Sequence, residues 1–275
     1  MIIDGHAHIW TLDPVAYPWQ PTFGFVPTEE ASPEALLSAM DRLGVAWAVL
    51  VQPSAYGNDH RFLLRAVERH PGRFVAVGLT DPAEPGAVDG ATQLVREDGC
   101  VGLRVNLSLD LDRAASQADS DAWAGLESLG VPLCLRATPA HHDLARLILG
   151  RHPRLRVIVD HLELPEPRNL VAAVDRLAEL AAFDNCYLKV AGLARLSMEG
   201  PPYRDTWPLI RSAYGSFGAS RLLWGSDYPA AEPQDLYAAA ARAIMSMPFL
   251  DGADRDRIMA GTSAELWGRA MEQPS

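Results

Sequence analysis

Hydrophobic positions along the chain fall into short runs rich in β-branched residues. Each run is followed by a stretch of mixed polarity. Eight such runs can be marked, at residues 2–8, 46–52, 74–80, 101–107, 132–137, 155–161, 186–191 and 221–226. Between them, apolar residues recur every three or four positions, the spacing of a helix with one buried stripe. In the segment 169–182, Val171, Val174, Leu177, Ala178 and Ala181 mark such a stripe. The same spacing predicts helices at 34–43, 61–70, 89–97, 143–152, 207–217 and 234–246. Gly and Pro stand at the joints, as in Leu43-Gly44, His70-Pro71-Gly72 and His152-Pro153, where a helix stops and a strand follows.

A near-continuous apolar strand needs cover on both faces, and strands alternating with helices form a parallel sheet. Eight such units in about 250 residues predict an α/β fold, a (β/α)8 barrel of the TIM type. An open doubly wound sheet competes with it. The Gly-rich phosphate turn of that fold is missing after the first strand, where Gly5 stands alone. The chain reads as one domain over residues 1–275, with no internal repeat. Residues 10–31 form a Pro- and aromatic-rich insertion, and residues 251–271 an extra helix at the C-terminus.

Composition narrows the partners. The 275 residues carry 24 Lys+Arg against 35 Asp+Glu, a formal charge of −11. An acidic chain without a basic run is a poor ligand for nucleic acid or an anionic membrane. A local arginine cluster could still receive a small anion. No apolar stretch reaches the roughly 18–20 residues that span a bilayer. The N-terminus has no charged segment followed by a long apolar one, so the expected location is the cytoplasm. A homo-oligomer is left open. Cys100, Cys134 and Cys186 sit apart in apolar runs and read as reduced, buried residues. Lys189 is the only lysine, a shortage that GC-rich codon usage explains without explaining why this one remains.

In such a barrel, chemistry sits where the strands end. His6 and His8 are two apart on the first strand, so both side chains share a face with Cα atoms about 6.5–7 Å apart. Two imidazoles so placed can converge on one cation. His161 and Asp227 end later strands, and two or three histidines with a carboxylate match a catalytic zinc site. Asp160, by strand alternation, is assigned the opposite face from His161 and a structural role. Arg104 and Arg136 suit a substrate carboxylate, which a guanidinium grips with two parallel hydrogen bonds. The alternative is pairing with a barrel carboxylate such as Asp81. Lys189 is placed in the barrel mouth, with Arg195 a third cationic candidate. Trp10, Tyr17 and Trp19 either line the pocket or pack on themselves as a lid. The adjacent pair His141-His142 diverges at a helix start and is not read as a metal site.

The segments Ile3-Asp4-Gly5-His6-Ala7-His8-Ile9-Trp10 and Tyr17-Pro18-Trp19 resemble the opening of the amidohydrolase-related (amidohydrolase 2) family. Gly102-Leu103-Arg104-Val105-Asn106, Val159-Asp160-His161, Leu188-Lys189-Val190-Ala191-Gly192-Leu193 and Trp224-Gly225-Ser226-Asp227-Tyr228-Pro229 follow its pattern in order. So does the ending Gly261-Thr262-Ser263-Ala264-Glu265-Leu266-Trp267. Within the family the chain is most similar to the hydrolases of sugar lactones and dicarboxylate lactones. The resemblance implies a distorted barrel and a hydrolase of a small lactone, sugar-derived or carboxylated. It implies one divalent metal, zinc before others, on His6, His8, His161 and Asp227, with Asp227 and His161 catalytic. Some members of this branch work without metal, so a version in which Asp227 activates water and the histidines hold the carbonyl oxygen stays open. Arg104, Arg136, Lys189, Tyr17 and Trp19 are the expected substrate contacts. The departure from binuclear relatives is Arg104 and Arg136, since a charged guanidinium is a poor metal ligand and argues against two metals. Non-oxidative decarboxylation of an aromatic or unsaturated acid is the second reaction this scaffold implies. The Tyr17-Pro18-Trp19 opening favours the lactonase branch.

Overall fold

The β-branched runs do become strands covered on both sides. In the computed structural model, which describes residues 1–21, 26–229 and 235–268, eight strands form one parallel sheet. They are β1 (Ile2–Ala7), β2 (Val45–Val51), β3 (Phe74–Leu79), β4 (Gly102–Asn106), β5 (Leu133–Arg136), β6 (Val157–Val159), β7 (Cys186–Val190) and β8 (Leu222–Trp224). Each pairs with the next in chain order. The seam between β8 and β1 is joined just past the strand ends. There Asp227 N donates to His6 O at 2.9 Å and His8 N donates to Tyr228 O at 2.7 Å. A Cβ on Gly225 would stand 2.6 Å from His6 Cβ, so only glycine lets the two segments approach this closely. The result is a nearly closed (β/α)8 barrel, as the eight apolar runs predict.

The helices are α1 (Pro33–Leu43), α2 (Arg61–Arg69), α3 (Ala87–Arg96), α4 (Leu111–Ala118), α5 (Ala122–Ser128) and α6 (His142–Arg151). They continue with α7 (Val171–Ala181), α8 (Leu193–Leu196), α9 (Trp207–Phe217), α10 (Asp235–Met245), α11 (Gly252–Asp256) and α12 (Thr262–Trp267). Helix α1 shows why the boundaries fall where they do. Ser32 Oγ accepts from Ala35 N at 3.1 Å, Pro33 opens the first turn, and Gly44 closes it at φ 68°. Among the described residues no helix is long and apolar enough to cross a membrane.

Most of the buried apolar residues fall into two layers. Leu36, Leu63, Ile148, Leu177 and Ile210 belong to the larger layer, between helices and strands. Ile3, Val49, Val51, Val77, Ile158 and Leu223 form a second cluster with Leu266 and Trp267 of α12. The C-terminal segment is therefore part of the barrel's inner packing. It is not the continuous helix expected over 251–271: α11 and α12 are joined by a π-helical turn at Arg257–Gly261, and residues 269–271 lie outside the described residues. Helices α4, α5 and the four-residue α8 were not among those expected, because residues 111–128 and 193–196 show no long apolar stripe. The run 155–161 is mostly not strand. β6 has three residues, and Asp160 and His161 lie beyond it in a turn.

Candidate active site

The site grows from the β1–β8 seam. Asp4, fully buried, accepts from His6 N at 3.1 Å and Ser226 N at 2.9 Å with Oδ1, and from Ser226 Oγ at 2.6 Å with Oδ2. One carboxylate thus ties the strand bearing His6 and His8 to the segment bearing Asp227. Burial outweighs these hydrogen bonds and raises its pKa to about 6. Sequence reasoning passed over Asp4. The available signal was an acid inside an otherwise apolar first strand.

Three imidazoles and Asp227 converge above this seam. His6 Nε2 and His8 Nε2 are 3.1 Å apart. Asp227 Oδ1 lies 3.7 Å from His6 Nε2, 3.9 Å from His8 Nε2 and 3.8 Å from His161 Nε2. Desolvation by burial lowers the pKa of all three histidines, to about 3 for His8, so they are neutral near pH 7. Each neutral ring then carries one N–H. His8 Nδ1 donates to Val51 O at 2.7 Å, which directs the lone pair of Nε2 into the cluster.

His6 is held from below. Lys189 Nζ lies 2.8 Å from His6 Nδ1, 3.0 Å from Asp160 Oδ1 and 3.0 Å from Cys134 Sγ, which accounts for all three ammonium protons. Lys189 and Asp160 are both wholly buried. Burial disfavours both charges, yet their attraction prevails. The lysine pKa is raised, and the aspartate, also facing Arg104 at 3.4 Å, is held down at about 2. This corrects two expectations. Lys189 does not line the cavity but lies beneath the histidines, with Nζ 5.8 Å from the centre of the Trp267 ring. Asp160 does not face away from the site, because the strand alternation that placed it there ends at Val159. A sole buried lysine needs a counter-ion, and that need was the missed signal. Asp81 is not the partner of Arg104: it binds Arg113 at 2.7 Å.

His161 arrives by a different route. His161, Leu162, Glu163 and Leu164 have φ of 51°, 55°, 65° and 48°, one left-handed turn made without glycine. Such backbone costs roughly 1–2 kcal/mol per residue. Glu163 is fully buried and its carboxylate meets His142 Nδ1 at 2.8 Å and Arg176 Nε at 3.2 Å. His142 is thereby a partner of Glu163 and, at 3.4 Å, of Glu179, while His141 Nε2 lies 2.8 Å from Ser108 O. Neither joins the imidazole cluster.

A cavity of about 520 Å³ opens over the cluster. His8, His161 and Asp227 form part of its wall, and Arg104, Arg136 and Arg195 another part. Arg195 Nε is 3.3 Å from Asp227 Oδ2. Burial, and then the charge of Arg104, lowers the Arg136 pKa to about 10, which leaves it cationic at neutral pH. Of the expected aromatic contacts, only Trp10 reaches the cavity. Tyr17 and Trp19 pack with Tyr56 and Phe62 instead, Trp19 stacked on Tyr56 with ring centres 4.8 Å apart. The loop that carries them also brings Glu29 and Glu30 to the cavity.

A profile described as "Amidohydrolase" matches residues 3–269. The chain belongs to the amidohydrolase family. The protein is accordingly an amidohydrolase-family enzyme. It is 29% identical to an L-fucono-1,5-lactonase of Burkholderia ambifaria over 82% of this chain and 80% of that one. It is 26% identical to a 4-sulfomuconolactone hydrolase of Hydrogenophaga intermedia over 98% of this chain and 89% of that one. The crystal structure of an amidohydrolase from Burkholderia multivorans with bound zinc superposes with a TM-score of 0.81 at 24% identity, covering 98% of this chain and 99% of that one. At that identity the likeness speaks for the fold.

Proposed function

We propose that this amidohydrolase-family enzyme hydrolyses the ester bond of a small lactone that carries an acidic group. The observation that carries this reading is the meeting of Asp227 Oδ1 with three neutral imidazoles beside three guanidinium groups in one cavity. Lactone-hydrolysing relatives named for a sugar lactone and for a sulfonated lactone support the ester bond as the target. The arginines favour the acidic class.

Ester hydrolysis needs an activated water, a stabilised oxyanion and a proton for the leaving alkoxide. Asp227 is placed to take the proton of a water in the cavity and return it to the leaving oxygen. His161 is placed to donate from Nε2 to the oxyanion as it forms. Arg104, fixed by Asp160, and Arg136 receive the acidic group of the substrate and hold the ring carbonyl over Asp227. Arg195 offsets the charge of Asp227.

The donor atoms also fit a divalent ion. Bonds near 2.0–2.1 Å in a tetrahedron separate donors by about 3.3 Å, and the His6, His8 and Asp227 atoms stand 3.1–3.9 Å apart. His6 would then give its Nε2 lone pair and carry its proton on Nδ1, so Lys189 Nζ would no longer donate there and the Nδ1 proton would turn to Asp160 Oδ1 at 3.6 Å. A zinc ion held there would supply Lewis acidity to an ester carbonyl and to water.

A pH-indicator screen of L-fucono-1,5-lactone, 4-sulfomuconolactone and 2-pyrone-4,6-dicarboxylate, with metal analysis of the same preparation, tests the reading. Acid release that disappears in Asp227→Asn is the expected result. Carbon dioxide released from an aromatic acid, with no lactone turned over, would overturn it.

A further inference from the structure

We infer that Glu163, clamped by His142 and Arg176, is a positioning residue that sets the orientation of His161 in the site. The inference rests on the reading of His161 as part of the catalytic cluster. It begins from an inequality among the three histidines. His8 is anchored at its far nitrogen by Val51 O, and His6 by Lys189. His161 Nδ1 is buried and has no hydrogen-bond partner among the described residues. No side-chain bond therefore fixes the plane of the His161 ring, and its direction is inherited from its backbone.

That backbone is the left-handed turn from His161 to Leu164. A turn of four non-glycine residues in this conformation persists only where surrounding contacts over-determine it. Two contacts do so. Leu162 is wholly buried in the hydrophobic core. Glu163 turns inward, and its two carboxylate oxygens are shared between His142 on α6 and Arg176 on α7. Arg176 is itself steadied by Ala172 O at 2.8 Å, and His142 by Glu179. The clamp therefore ties the turn to two helices outside the sheet. Its products are the two neighbours of Leu162 and Glu163 that face the cavity, His161 and Leu164. The room left for the ring is narrow: a Cβ on Gly192 would stand 3.1 Å from His161 Nδ1. A small rotation of the turn would move His161 Nε2 relative to Asp227.

The test uses histidine-labelled full-length protein and the variants Glu163→Gln, His142→Gln and Arg176→Gln. Long-range nitrogen–proton spectra report each imidazole, with the His161 signals identified by their loss in His161→Asn. Glu163→Gln should shift or broaden the His161 signals while those of His6 and His8 stay in place. On whichever of the three lactones named above is turned over, it should lower kcat on the order of ten- to a hundredfold with KM little changed. In the His161→Asn background the same substitution should lower kcat no further. Unmoved His161 signals in folded Glu163→Gln, or losses that multiply in the double variant, would overturn the inference. So would failure of all three variants to fold, which would make the clamp a stability element. If none of the lactones is turned over, the proposed reaction fails, while the spectra still decide whether Glu163 orients His161.

Discussion

Two regions deliver histidines to the same carboxylate, and they do so by opposite means. The first strand presents His6 from extended backbone and His8 just past its end, without left-handed residues, and each ring has a second partner at its far nitrogen. The segment after β6 presents His161 from left-handed backbone, with no hydrogen bond at its far nitrogen among the described residues. In the first region the side chains carry the orientation and the backbone is relaxed. In the second the backbone carries the orientation and is itself held by a buried carboxylate. A strand-borne ring can be disturbed by removing one partner. A turn-borne ring is disturbed by anything that lets the turn relax.

The most severe change should be Asp227→Asn, because Asp227 is where the two regions meet. Loss of about a thousandfold in kcat is expected, within the range of general acid–base effects, and steady-state kinetics would show it. Next is Lys189→Met, which strips the strand-borne side of its anchor. It leaves Asp160 buried without its closest cation, which should cost about 3–5 kcal/mol in a denaturant melt. Adding Asp160→Leu should recover part of that loss. Gly192→Ala attacks the turn-borne side. Gly192 has φ 67° and lies against His161 and Asp227, so alanine should cost roughly 1–2 kcal/mol of backbone strain and depress kcat more than a distant glycine substitution of equal strain. If Gly192→Ala leaves kcat unchanged, the site is less tightly set than its spacing indicates.

The same histidines also make stability depend on pH. The three cluster histidines have folded pKa values lowered by burial, to about 3 for His8, against an unfolded value of 6.5. Below 6.5 the unfolded chain takes up protons that the folded chain refuses, so stability falls as pH falls from about 6.5 toward 3. At pH 5 His8, with its folded pKa at about 3, should cost on the order of 2 kcal/mol relative to pH 7, and His6 and His161 act in the same direction. Denaturant midpoints at the two pH values measure the net effect, in which Asp4, with its pKa raised to about 6, opposes the histidines. His161→Asn should reduce the difference, and an unchanged difference in that variant would show that His161 is charged in the folded protein.

The barrel was legible because eight apolar runs at near-regular intervals are a long-range repeat of one simple pattern. His6 and His8 were legible because strand alternation has a period of two. The same rule failed at Asp160 and His161. The apolar run there continues past the hydrogen-bonded strand, and nothing local marks where the chain leaves it. Tyr17 and Trp19 were expected near the substrate because aromatic residues cluster in that loop. They found each other's company in Tyr56 and Phe62, whose proximity depends on α2 lying beside the loop. Lys189 was singled out by its rarity, yet its depth in the barrel depends on β7 facing Asp160 and Cys134.

What the amino-acid sequence determined by itself was the class of fold and the kind of chemistry. Hydrophobic periodicity is a local property, and His-x-His is a local motif. Only the tertiary structure decided which charges neutralise one another. Lys189, Asp160 and Arg104 come from β7, the end of β6 and β4, and their pairing follows from barrel closure rather than from spacing along the chain. The acidic total of −11 is thus compatible with a cavity bearing three guanidinium groups, because net charge has no position until the chain is folded.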